Sequence, residues 1–180
     1  VRILITPKKH EVIQFGLGYG KEEESGFNLE GGWSYYDPNA YSDLDEDQNT
    51  GTVLKASAFH SEKMEKVEWL GKVDYEWVDG KFKTVERFRS VEFIRDWNIG
   101  DSLLNMDQNA ASADLGARFG SASHAFYSAE WLDLGPYNGL RHQLKARYFE
   151  KETFFDIKAS ALSTEQDDYG TNFLREISRF

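Results

Sequence analysis

The sequence predicts an all-β fold: one antiparallel domain spanning residues 1–180, a meander of about eleven strands forming a barrel or barrel segment. Three observations predict it. Long stretches alternate a bulky or apolar residue with a small or charged one, which is the two-residue period of an extended backbone. Aromatic residues make up 15% of the chain, and Trp, Tyr and Phe favour strands. Turn residues separate the alternating stretches by short links, whereas parallel pairing needs a crossover of about a dozen residues.

The strands follow in order. After Val1 to Thr6, Ile13, Phe15, Leu17 and Tyr19 alternate with Val12, Gln14, Gly16 and Gly18, and Phe27, Leu29, Gly31, Trp33 and Tyr35 with Asn28, Glu30, Gly32 and Ser34. Leu54, Ala56 and Ala58 interleave with Lys55 and Ser57. The clearest stretch sets Val67, Trp69, Gly71, Val73, Tyr75 and Trp77 against Lys66, Glu68, Lys72, Asp74 and Glu76. Ala113, Leu115, Ala117 and Phe119 then oppose Asp114, Gly116, Arg118 and Gly120. Leu140, Leu144, Ala146 and Tyr148 oppose Arg141, Gln143, Lys145 and Arg147, while Phe155, Ile157, Ala159 and Ala161 oppose Asp156, Lys158 and Ser160. Val85 to Trp97 fits the same period, with Arg87, Arg89 and Arg95 on one face and Glu86, Glu92 and Asp96 on the other. Turns are expected at Asp79 and Gly80, at Gly120 to Ser123, at Gly135 to Gly139 and at Glu150 to Glu152. Longer connections are expected at Asp37 to Thr50, Asn98 to Asp107 and Ser163 to Gly170.

Thirty-one acids against 21 bases give a net charge of -10, which repels a phosphate backbone and argues against nucleic-acid binding. Cysteine is absent, so disulfide and thiolate chemistry are excluded. No apolar run is long enough for a spanning helix, and no basic-flanked signal peptide is present. The missing initial Met suggests a processed protein or a piece of a longer one.

A strand with one apolar and one charged face suits two media. In a soluble sandwich or jelly roll the apolar face is internal; in a membrane barrel lipid takes the apolar face and a watery lumen the charges. Tyr and Trp near strand ends, as at Tyr19, Trp33, Tyr35, Tyr75, Trp77 and Tyr148, suit the boundary between hydrocarbon and headgroup. Charged faces of mixed sign suit a lumen in which side chains pair across strands. These features favour the barrel.

The run VERFRSVEFIRDWN from Val85 to Asn98, after the acidic DLDEDQNTG loop, resembles stretches of the large outer-membrane β-barrels of Bacteroidota and Fibrobacterota, and the strand rhythm of most of the chain is similar to theirs. Phe180 is similar to the terminal aromatic of such barrels, although Glu176 and Ser178 break the apolar alternation before it. The resemblance implies a noncatalytic protein of the outer membrane or cell surface, with a structural, transport or adhesion role and lipid or envelope proteins as partners.

Candidate sites are few. Asp43, Asp45 and Asp47 are spaced as the first three ligands of a calcium loop, with Asn49 placed to offer a backbone oxygen, so Ca2+ is the one cofactor the sequence suggests. Gln48 stands where that loop needs Gly, and Leu54 where it needs Glu. His10, His60, His124 and His142 lack ligand spacing. Glu68, Glu76, Glu130 and Asp133 lie on strands and could supply a glycosidase-type pair, but no nucleophile elbow or phosphate-binding glycine motif is present. The alternative function is a secreted or periplasmic carbohydrate-binding β-sandwich that stacks Trp33, Tyr35, Tyr36, Trp131 and Tyr137 on a glycan; a jelly-roll enzyme is the weaker third reading.

Overall fold

A computed structural model describes residues 6–21, 24–41, 49–86, 89–120, 122–150, 153–166 and 169–179. Val1 to Ile5, Arg87 and Phe180, which carry parts of the sequence reading, lie outside the described residues.

The alternating stretches form strands β1 (Lys9–Lys21), β2 (Ser25–Asp37), β3 (Thr50–Met64), β4 (Val67–Val78), β5 (Gln108–Phe119), β6 (Ser123–Asp133), β7 (Tyr137–Glu150), β8 (Thr153–Gln166) and β9 (Tyr169–Arg179). Each pairs antiparallel with its neighbours in sequence, giving one nine-stranded sheet in the order β1 to β9. Among the described residues β1 and β9 do not pair with each other, so the sheet is open. The fold class and the meander are as expected, and the count is nine. Residues 85–98 account for part of the difference. Those described, 85–86 and 89–98, do not extend as a strand but belong to a long insert between β4 and β5, residues 79–107, which carries a short helix α1 (Phe93–Trp97) and a 3-10 turn at Asp101–Asn105. Residues 163–170, expected as a long connection, are mostly strand, because β8 runs on to Gln166 and β9 begins at Tyr169.

The register is regular across all eight pairings, so each strand keeps one face throughout. One row runs Leu17, Leu29, Ala56, Tyr75, Ala111, Trp131, Leu140. On the reverse face Glu30, Lys55 and Glu76 lie side by side, and Glu130 lies opposite Arg141.

The core lies on the charged face. Trp97, Ile99 and Leu103 of the insert pack with Leu132, Leu134, Tyr137 and Leu162, with Phe93, Ile94 and Leu104 at the edge. Tyr137 is buried, and its hydroxyl donates to the Trp97 carbonyl at 2.5 Å. Phe82 is buried against β2 and β3; a Cβ at Gly51 would collide with the backbone of Lys81 and Phe82, so glycine lets the insert lie flat on β3. At Gly139 a Cβ would meet the Tyr137 hydroxyl at 2.6 Å and the Trp97 ring at 3.1 Å. Asn98 ends α1 in the left-handed conformation at φ 52°, turning the chain so that Ile99 enters the core.

Four connections at one end of the sheet are short: 22–24, 65–66, 120–122 and 151–152. Both long ones, 38–49 and 79–107, lie at the opposite end, beside the short links 134–136 and 167–168. The accessible surface is 13167 Å2, against roughly 8,900 Å2 for a closed globular monomer of this mass. The uncovered face of the sheet and its open edge strands β1 and β9 contribute to the excess.

Candidate functional site

On β1 to β8 every exposed large hydrophobic residue projects from the uncovered face except Phe149 and Phe154, which sit at the short-turn end of the other face. Phe15 is 64% exposed, Leu115 65% and both Trp69 and Val73 53%. The alternation that sends these side chains to one face sends Lys72, Asp74, Glu76 and their equivalents to the other. Seventeen large apolar side chains of β1 to β8 are open in this way. Together they expose on the order of 1,500 Å2, several times the few hundred Å2 that a soluble monomer carries as one patch.

Most rings on this face lie toward its two margins, with Phe15 and Tyr127 at mid-strand. Tyr75, Trp77 and Trp131 lie toward the long-loop end, and Trp69, Phe119, Tyr148 and Phe155 toward the short-turn end, with Ala, Leu, Val and Gly dominating between. Trp69 and Trp77 are eight positions apart on β4. That is about 27 Å along an antiparallel strand, or about 20 Å vertically at a ~40° tilt. The middle of the face is not wholly apolar: the Tyr127 hydroxyl and His142 Nδ1 share an exposed hydrogen bond at 2.7 Å.

The opposite face is polar and internally paired. Arg118 meets Glu68 at 3.2 Å, and Arg147 meets Asp156 at 2.7 Å, each directly across the register. Arg141 holds Glu130 through two guanidinium nitrogens and lies over the Trp97 ring at 4.7 Å, while Gln143 donates to the same carboxylate at 3.0 Å. Arg89 of the insert pairs with Glu76 at 2.5 Å and donates to Gln108, whose amide nitrogen in turn bonds the Leu104 carbonyl at 3.0 Å. The Lys83 amide donates to the buried Ser34 hydroxyl at 2.9 Å. Salt bridges and hydrogen bonds thus tie the insert to the polar face at one end. Clefts remain there, among them one of about 400 Å3 beside Phe82, Glu30 and Lys55, and one of about 520 Å3 between α1 and β7 to β9.

The five rings expected to stack on a glycan do not share a surface. Trp33 and Tyr35 stack on each other at 6.3 Å on the apolar face near β1, and Trp131 is on the same face of β6. Tyr36 points to the other face, where its ring meets His10 edge-on at 5.2 Å, and Tyr137 is sealed in the core. Asp43, Asp45 and Asp47 lie outside the described residues; Asn49 is buried, and its carbonyl accepts the Tyr36 amide at 2.7 Å. Among the described residues no three His, Asp or Glu side chains converge as a metal site. Glu68, Glu76 and Glu130 each hold an arginine, and Asp133 is on the apolar side of the sheet.

Sequence reasoning missed the residues that seat the insert, although a signal was there. Val78, Leu132 and Leu162 follow Trp77, Trp131 and Ala161, so two neighbouring residues are both apolar and the alternation breaks. All three breaks fall toward the long-loop ends of their strands, where the insert lies.

No protein-family model, curated protein or solved structure matches the chain.

Proposed function

We propose that this chain forms barrel wall in an outer membrane, its apolar face against lipid and its charged face lining an aqueous lumen that the 79–107 insert narrows at one end. The observation that carries the reading is inverted burial: apart from Ala117, the buried hydrophobic residues of the strands lie on the charged side, and the rows of Trp, Leu, Val and Tyr on the other side have no protein cover among the described residues. Water would make such a face an aggregation site; hydrocarbon is the medium in which it is satisfied.

Three features support the same reading. Rings at both margins correspond to the girdles that flank the apolar band, about 25 Å tall, of a spanning barrel. Strands of 11 to 15 residues reach or exceed the 9 to 11 that a tilted crossing requires. Short turns at one end and both long connections at the other match the asymmetry of such barrels. The open edges at β1 and β9 call for further strands to complete a wall. On this reading the protein is noncatalytic, its immediate partner is lipid, and its role is passage of solutes through the lumen.

The test is depth-resolved quenching. Single-Trp variants that keep only Trp69, Trp77 or Trp97 are reconstituted into vesicles containing brominated acyl chains. The expected result is strong quenching of Trp69 and Trp77 and little of Trp97. A protein that stays monodisperse without detergent and shows no quenching of Trp69 overturns the proposal.

A further inference from the structure

The charged face has one place where its pairing rule fails. Wherever else two charged residues lie directly opposite each other on this face among the described residues, their signs are opposite: Glu30 and Lys55, Lys55 and Glu76, Lys63 and Glu68, Glu68 and Arg118, Lys72 and Asp114, Glu130 and Arg141, Arg147 and Asp156, Asp156 and Arg179. Lys145 and Lys158 are the exception, facing each other across β7 and β8. Cβ atoms of directly opposed residues stand about 5 Å apart, where like charges destabilise a sheet.

Little around the pair compensates it: Asp156 attracts Lys158, and Asp96 of α1 lines the cleft that Arg175 also lines. The same row continues to Phe126 on one side and Ile177 on the other, and the row above holds Gln143, Ser160 and Arg175. The row below holds Arg147, Asp156 and Arg179. Asp156 is the one carboxylate that these rows hold on β6 to β9, and Arg147 takes it through Nε at 3.2 Å and Nη2 at 2.7 Å, with Lys158 and Arg179 attracted to it as well. Five cations therefore share one acid in a chain whose overall charge is -10. The excess is local and runs against the charge of the whole molecule.

We propose that this patch of β7 to β9 binds a small multivalent organic anion, a carboxylated or phosphorylated solute whose charged groups bridge Lys145 and Lys158. Arg175 and Arg179 hold its outer charges. An anion between the two ammonium groups turns a repulsion into two charge-assisted hydrogen bonds, and the guanidinium forks suit carboxylate or phosphate oxygens. The assignment rests on the reading above in taking this face as the lumenal one, and it names the class of solute that the lumen handles.

Calorimetric titration of the full chain in a nonionic detergent tests it, with citrate as the probe at low salt. The expected result is saturable citrate binding that K145Q/K158Q weakens by at least ~10-fold and K145R/K158R retains. K55Q/K72Q removes the same charge from lysines that have acidic neighbours, and is expected to leave citrate affinity within ~2-fold. No saturable binding, equal affinity in K145Q/K158Q, or an equal loss in K55Q/K72Q each overturns the assignment. Replacing the lysines by Gln relieves a repulsion, so the variants are expected to fold, and an unchanged β-sheet circular dichroism spectrum verifies it. Lipid quenching of Trp69 is untouched by these substitutions, so failure of the wall reading shows separately.

Discussion

At the long-loop end of β4, Trp77 and Val78 are adjacent in sequence and meet opposite surroundings: Trp77 stands on the uncovered face, and Val78 is buried beneath the insert. Val73 and Leu132 make the same contrast, one 53% exposed and the other fully enclosed. Both are aliphatic strand residues, so side-chain chemistry does not set their fate. The partner does: residues 79–107 fold back over one face only.

The contrast can be broken most strongly at Trp97. Replacing it with Ala removes the centre of the core and the ring under Arg141, at an expected cost of about 3–5 kcal/mol in chemical unfolding from micelles. Leu115→Ala on the uncovered face is expected to cost about 1 kcal/mol or less by the same measurement. Equal losses would mean that the two faces are packed alike.

Val73→Lys tests the medium itself. A lysine at mid-depth of a lipid-facing strand is expected to cost about 2–4 kcal/mol in the equilibrium between folded, vesicle-inserted protein and denaturant-unfolded chain. Ser57→Lys, on the other face opposite Asp74, is expected to shift it by less than about 1 kcal/mol. If V73K inserts as well as the parent protein, the exposed face does not meet hydrocarbon.

A smaller effect is expected from Glu130→Gln, which leaves Arg141, its side chain 14% exposed, without its main counter-charge. The Trp97 ring still lies under the guanidinium and Asp96 stands 3.9 Å from it, so the expected loss is about 1–3 kcal/mol, read as a lower denaturation midpoint at unchanged slope. A change within error would show that Arg141 is sufficiently solvated to need no partner.

Much of this architecture was legible in the chain. The rhythm of Val67 to Trp77 gave β4 its faces, and the Gly135, Pro136 and Asn138 cluster marked the β6 to β7 link. The segment 85–98 was misread because Arg87, Arg89 and Arg95 against Glu86, Glu92 and Asp96 mimic a two-residue period. Phe93, Ile94 and Trp97 carry the helical spacing that buries one side of α1, but five residues are too few for a period to stand out. Tyr137 looked like an exposed ring in a turn, and it proved to be the first residue of β7, anchored by its hydroxyl. The Lys145 and Lys158 opposition was invisible, because it exists only in the register between two strands.

By itself the sequence determined the strands, their alternation and their antiparallel order, because side-chain direction on an extended backbone depends only on position along the chain. Which face is covered, and which cations oppose each other, were decided by the tertiary structure. Those properties depend on where a 29-residue insert lands and on how strands register, which are relations between distant segments that no local pattern encodes.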